Sequence, residues 1–259
     1  MNAHTDADIL AVVQRSPLAA GQHDRAGWVD LFTTDGQVED PVGSAPHRGH
    51  AEIGRFFDTF IAPRDITLHS DADIVCGTTV IREVTLEVQM GAGVAMTIPA
   101  ILRYSVREVG DELKIAELQA FWELPSMLWQ FARTGVRAVP VTVGLTRSLL
   151  SNQRIAGAMG FLGGLHRPAR RHRTEIDALL RALTTGDQLT ARRMLNTGAL
   201  VMFGDQQPLS VDALGVRLRG AQQSTRITAG ASTAVSVRTD DGPGVLLIDT
   251  DPWTVRYYA

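Results

Sequence analysis

Asp40 stands before Pro41 in the stretch Val38-Glu39-Asp40-Pro41-Val42-Gly43, with Pro46-His47-Arg48-Gly49 close behind. Proline fixes its own φ and biases the preceding residue toward extended geometry, so the Asp40 carboxyl is held at a strand end, as a proton-transfer base must be. The same residues can simply close a turn, and both readings stand at this point. Arg82 interrupts the apolar run Val80, Val84, Leu86, Val88 and Met90. It can pair with a carboxylate inside the fold or extend its head out at the rim, and rim placement is expected. His47, His50 and His69 lack metal-ligand spacing, and Cys76 is the only cysteine, so neither a metal site nor a disulfide is expected. Gly157, Gly160, Gly163 and Gly164 follow no strand and lack dinucleotide spacing, so no cofactor is expected.

The elements that must position Asp40 are readable from periodicity. Ile9, Val12 and Val13, then Trp28, Val29, Leu31 and Phe32, recur at helical spacing before the turn, and Ile53, Phe56, Phe57 and Phe60 after it. From Ile66 to Trp122 the pattern becomes that of strands, at Ile74-Val75, Val80 to Met90, Val94 to Val106 and Leu113 to Trp122, broken by Gly77, Gly91-Ala92-Gly93 and Gly110-Asp111. The order α-α-β-α-β-β-β-β describes a curved sheet wrapped around helices, an α+β class.

That order, with the Glu-Asp-Pro turn on the first strand and Leu118-Gln119-Ala120-Phe121-Trp122 on the last, resembles the ketosteroid isomerase-like and SnoaL-like branch of the nuclear transport factor 2-like superfamily. The resemblance covers residues 1–125. It implies a cone-shaped NTF2-like fold whose open end holds a flat hydrophobic ligand, with the general base at Asp40. It also puts Ser16 where the family has its oxyanion-donating tyrosine, Phe57 at the supporting tyrosine and Ala100 at the protonated aspartate. Losing one such donor costs about 100- to 1000-fold in rate, and both direct donors are replaced here. Tyr104 shares the two-residue strand period with Ala100 and Leu102, so it is a candidate substitute donor, or else an ordinary strand tyrosine with a solvated hydroxyl. Asp65 lies roughly where epoxide-opening members carry the partner of the turn aspartate. It is either that partner, one acid protonating the epoxide while the other activates water, or half of a solvated pair with Arg64. Phe57, Ala100, Leu118 and Trp122 are expected to line the ligand cavity around Asp40.

At 259 residues the chain exceeds one such cone, so a second unit is expected. The expected division is 1–125, a linker at 126–173 and a shortened, degenerate second NTF2-like unit at 174–259. The net charge of −3 gives no bulk attraction to nucleic acid, and no nucleic-acid partner is expected. The total hides an island: between Leu124 and Thr174 there are eight arginines and no acid, leaving −11 on the rest. Arginines interrupt every apolar run before it could span a membrane. The island reads as a lid or bridge between units, with peripheral membrane contact through 127–173 as the alternative.

In the second unit Phe203 or a near neighbour takes the place of Asp40, and Asp205 is expected to be solvated in the following turn. Packing of this unit on the first would make an intramolecular pseudo-dimer, the alternative being a homodimer, with Trp253, Tyr257 and Tyr258 either at the contact or facing inward. The acidic N-terminus has no signal-peptide core, so a cytoplasmic location is expected. The leading functional expectation is isomerase-like or lyase-like proton transfer on a polycyclic or steroid-type carbonyl ligand. Epoxide hydrolysis by Asp40 with Asp65, non-catalytic carriage of a sterol-like or lipid ligand, and a membrane-peripheral accessory role are the alternatives.

Overall fold

Thr5 accepts from the Asp8 backbone N–H while the Asp8 carboxylate accepts from that of Thr5, and this capping box starts α1 (Asp6–Gly21). In a computed structural model, which describes residues 4–89, 95–123, 170–195, 198–250 and 252–259, the first unit continues with α2 (Arg25–Asp30), β1 (Phe32–Glu39), β2 (His47–Arg48) and α3 (Gly49–Phe56). A π-helical turn (Phe57–Ile61) leads into four long strands, β3 (Asp65–Cys76), β4 (Thr79–Gln89), β5 (Ala95–Val109) and β6 (Glu112–Phe121). Phe32, read from sequence as the end of a helical run, instead opens β1, and the two-residue β2 gave no periodic signal.

The second unit repeats the plan. It consists of α4 (Arg170–Thr185), α5 (Gln188–Leu195), β7 (Leu200–Phe203), β8 (Gln207–Pro208), α6 (Val211–Leu218), β9 (Gln222–Ala229), β10 (Ser232–Thr239), β11 (Gly242–Thr250) and β12 (Trp253–Tyr258). Helix α4 begins at Arg170, inside the stretch expected to be linker. The rest of the basic island, 126–169, lies outside the described residues. Among the described residues no helix is long and apolar enough to cross a membrane.

The two sheets have matching strand orders, β2-β1-β6-β5-β4-β3 and β8-β7-β12-β11-β10-β9. In each, the first strand pairs in parallel with the last, and the other pairs are antiparallel. Strand register therefore aligns the units residue by residue. Val38 pairs with Leu118 as Val201 pairs with Val255, so Phe203 holds the position of Asp40. Thr79 pairs with Ser105 as Ser232 pairs with Asp249, so Val235 corresponds to Arg82 and Ile248 to Tyr104.

Strand alternation splits the apolar residues between two duties. In β4, Val80, Val84 and Val88 face the first unit's helices, while Ile81 faces the other way. Ile81, Ile101 and Phe121 pack with Ala234, Val245, Leu247 and Tyr258 of the second sheet in one buried cluster. The chain thus packs its two units as a pseudo-dimer. Of the three aromatic residues considered for this contact, Tyr258 joins it, whereas Tyr257 and Trp253 pack into the second unit's own core. The backbones touch at Gly43 and Gly230, both at positive φ (91° and 56°), where a Cβ on either would lie 2.6 or 2.7 Å from the other's Cα.

Candidate functional site

Parallel pairing of β1 with β6 carries the Asp40 turn past the end of β6. Glu39 pairs with Gln119, and the Val42 N–H donates to the Ala120 carbonyl at 2.9 Å. Trp122, one residue beyond β6, is thereby brought to Asp40, and its Nε1–H donates to Asp40 Oδ1 at 2.6 Å. The Asp40–Pro41 peptide is cis. Burial pushes the Asp40 carboxyl up to about 6, against the smaller opposing effect of the Trp122 bond.

Phe57, Ala100, Leu118 and Trp122 all belong to the apolar core between the sheet and α1–α3. Phe57 starts the π-helical turn, and Trp28 packs on it with ring centroids 5.5 Å apart. Ala100, at the protonated aspartate's expected position, is buried and carries no donor.

Two polar groups enter that apolar interior from the strands. Tyr104, on β5 opposite Val80 and Leu118, is fully buried. Its hydroxyl lies beside Ser16, which accepts from Trp28 Nε1 at 3.1 Å. Burial raises the proton affinity of Tyr104. Arg82 and Ser16 oppose that rise, while the negative charges of Asp40 and Asp73 add to it. Tyr104 is therefore not a solvated strand tyrosine: its hydroxyl shares the interior with Ser16.

Arg82 corrects a second expectation. Its side chain is only 5% exposed and does not reach out at the rim; Nε donates to Asp73 Oδ1 at 2.7 Å and Nη2 to Oδ2 at 3.3 Å. Asp73 was not singled out from sequence. The signal was a charged residue at the same distance on either side of the turn at Gly77: Asp73 and Arg82 are direct partners in the regular register that runs from Cys76–Thr79.

Asp65 is not brought to Asp40. Its carboxylate is 84% exposed at the start of β3 and lies 3.3 Å from His23 Nε2. Arg64, proposed as its surface partner, turns to the carbonyls of Thr59 and Phe60 at 2.9 and 2.6 Å. Among the described residues no group of three or more His, Cys, Asp and Glu side chains is placed to hold a metal ion.

Asp205 behaves unlike the solvated turn residue expected. It crosses to the first unit, accepting from Arg103 Nη2 at 2.9 Å and from Thr79 Oγ1, as well as from the Tyr258 hydroxyl at 2.7 Å. Burial alone would raise its proton affinity, but Arg103, Thr79 and Tyr258 together hold it below the usual carboxylate range.

Residues 13–118 match the SnoaL-like domain family. Similar solved structures include Rv0760c from Mycobacterium tuberculosis in complex with estradiol-17beta-hemisuccinate, at 24% identity over 46% of this chain and 95% of that one, TM-score 0.42. Delta 5-3-ketosteroid isomerase from Mycobacterium sp. is similar at 28% identity over 46% and 95%, TM-score 0.42. The epoxide hydrolase/cyclase-like enzyme SalBIII, from pyran ring formation in polyether salinomycin, is similar at 20% identity over 45% and 92%, TM-score 0.41.

Proposed function

We propose that the first unit, whose residues 13–118 match the SnoaL-like domain family, moves a proton on a hydrophobic, polycyclic or steroid-type carbonyl compound, with Asp40 as the base. The observation that carries this reading is a carboxyl raised to about 6 by burial, with an indole N–H and, among the described residues, no cation as its partner. At neutral pH such a group is mostly ionised, yet it binds a proton about a hundredfold more tightly than an ordinary carboxylate. That combination suits a base facing a weakly acidic carbon.

In this mechanism Trp122 holds Oδ1 and leaves Oδ2 to take a proton from the carbon beside the ligand's carbonyl. The C–H electron pair moves into the new C=C bond, and the carbonyl becomes an enolate. Asp40, now protonated, returns the proton at a second carbon, and the double bond has migrated with no net change in composition. The enolate oxygen needs a donor where Ser16 and Ala100 provide none of the expected groups. Tyr104 is the proposed donor: it is buried beside Ser16 and close enough to Asp40 to feel its charge. Phe57, Ala100, Leu118 and Trp122 would form the apolar walls.

The test is turnover of a β,γ-unsaturated steroid ketone, followed by absorbance of the conjugated enone. Because the base must be ionised, kcat/KM should rise with pH through about 6, and Asp40→Asn should lower it roughly 100- to 10,000-fold while ligand binding persists. A dienolate-mimicking phenol should also bind more tightly than a non-ionisable steroid of the same shape. Ligand binding with equal affinities and no turnover would identify a carrier instead.

A further inference from the structure

Asp73, Arg82 and Tyr104 stand on three neighbouring strands, β3, β4 and β5. Asp73 is the direct partner of Arg82, while Tyr104 pairs with Val80, which lies two residues before Arg82 and shares its face of β4. Arg82 and Tyr104 are thus diagonal neighbours, a spacing of about 7–8 Å that is within reach of long and aromatic side chains. Both are buried, so little water screens the guanidinium from the hydroxyl.

The guanidinium is only partly matched. Asp73 accepts from Nε and Nη2 on the β3 side, whereas Nη1 is buried with no hydrogen-bond partner. Asp73 is also shared, since Ser70 Oγ donates to its Oδ1 at 2.7 Å. Burial is the main cause raising the proton affinity of Tyr104, and Arg82 opposes that rise more strongly than either Asp40 or Asp73 adds to it. The pair therefore presents its positive end to the tyrosine. The fold does not require this arrangement, because the matching positions of the second unit hold Arg226, Val235 and Ile248, and Arg226 pairs with Asp177 instead.

A fixed positive charge behind an O–H strengthens its donation to an oxygen that becomes negative, and it stabilises that negative charge directly. We propose that Arg82 is a positioning residue for the oxyanion, a buried countercharge that acts through the Tyr104 hydroxyl and touches neither the ligand nor Asp40. This rests on the reading of Tyr104 as the enolate's donor. It also narrows the ligand class to molecules whose oxygen gains negative charge in the site, such as enolisable ketones and acidic phenols.

Binding without turnover tests it. The probes are 6-cyano-2-naphthol, whose hydroxyl can ionise, and 2-cyanonaphthalene, which has the same body without the hydroxyl, titrated by fluorescence. Asp40→Asn is the parent protein, because position 40 is then uncharged, as it is once the base has taken its proton. Adding Arg82→Met with Asp73→Asn removes the ion pair together, and the preference for the naphthol should fall about tenfold. Adding Asp73→Asn alone leaves the guanidinium unopposed and should raise the preference about threefold, whereas a purely structural ion pair predicts no rise. In a Tyr104→Phe background, removing the pair should cost much less, since the hydroxyl it acts through is gone. Circular dichroism checks each fold, and if the variant lacking the pair does not fold, the Asp73→Asn arm decides. Failure of the base reading would show separately, as no steroid turnover by the protein with Asp40 beside an intact naphthol preference, and the role of Arg82 would stand. No naphthol preference in the parent, an unchanged preference in the folded variant lacking the pair, no rise in Asp73→Asn, or equal costs with and without the Tyr104 hydroxyl overturns the proposal.

Discussion

The two units share a strand order and a register but differ in what they bury. Behind the first sheet stand Asp40, Arg82 and Tyr104; at the matching positions behind the second stand Phe203, Val235 and Ile248. The second unit shows that the architecture closes with an apolar interior. Phe203 packs edge-on against Tyr257, with ring centroids 6.1 Å apart, where the first unit places a carboxyl raised to about 6 by burial. Burying a charged group costs far more free energy than burying the hydroxyls that both units contain, so an arginine and a carboxyl drawn into one copy alone point to a requirement beyond folding. The two acidic turns make the same contrast. Asp40 faces its own unit's interior with a neutral donor, whereas Asp205 faces the other unit and is matched by Arg103, Thr79 and Tyr258.

The comparison can be broken first at Tyr104. If the first unit's interior serves an enolate, Tyr104→Phe should lower kcat roughly 100-fold or more, about 3 kcal/mol in the barrier, with a small effect on stability. Turnover unchanged in the folded variant would remove Tyr104 from the mechanism. Asp205→Ala should act in the opposite way, on stability and not directly on chemistry. It strips a buried cation of one partner, and although Glu117 and Gln119 still contact Arg103, a loss of about 2–3 kcal/mol in denaturant unfolding is expected. A loss within error would mean that the inter-unit ion pair contributes nothing net. Next in size is Gly230→Ala. The added methyl would meet the Gly43 backbone at a positive-φ position, forcing the units apart at a cost of about 1–2 kcal/mol, read in the same unfolding experiment.

The sequence shows the elements through their apolar spacing, because helical and strand periods differ, and Gly77 and Gly110 mark hairpin turns at positive φ. Asp40 was readable because Pro41 follows it, and Trp122 because it closes the last strand. What sequence could not supply were relations across distance. Arg82 meets Asp73 as its direct partner across the β3–β4 hairpin, but the rim expectation rested on β4 alone, and the choice between an inward pair and an outward head depends on what the facing strand offers. Asp205 finds partners on β4 and β5, more than a hundred residues earlier, and no local pattern announces such a match. Asp65 had the right residue type near the right strand, but the direction of its side chain, outward toward His23, is set by the tertiary turn before β3.

An effect of similar size to that at Gly230 weighs function against folding most directly, and it lies at Asp40. Its proton affinity in the folded chain exceeds the ordinary value of 3.8, so protonated Asp40 is favoured by the fold and ionised Asp40 opposes it. The contribution is fully present below pH 3.8 and is lost as pH rises through about 6. Asp205 has the reverse sign, with stability present above the unfolded carboxylate range and lost as pH falls through its depressed value. Asparagine at position 40 keeps the shape and can still accept from Trp122, but it cannot ionise. Asp40→Asn should therefore stabilise the protein by about 1–2 kcal/mol at pH 7–8, with the gain shrinking to nothing by about pH 4, while other titrating groups cancel in the difference. Denaturant unfolding of both proteins across that range measures it. A difference that stays flat with pH would mean that Asp40 keeps its water and an ordinary proton affinity, and its place as the proposed base would fall with it.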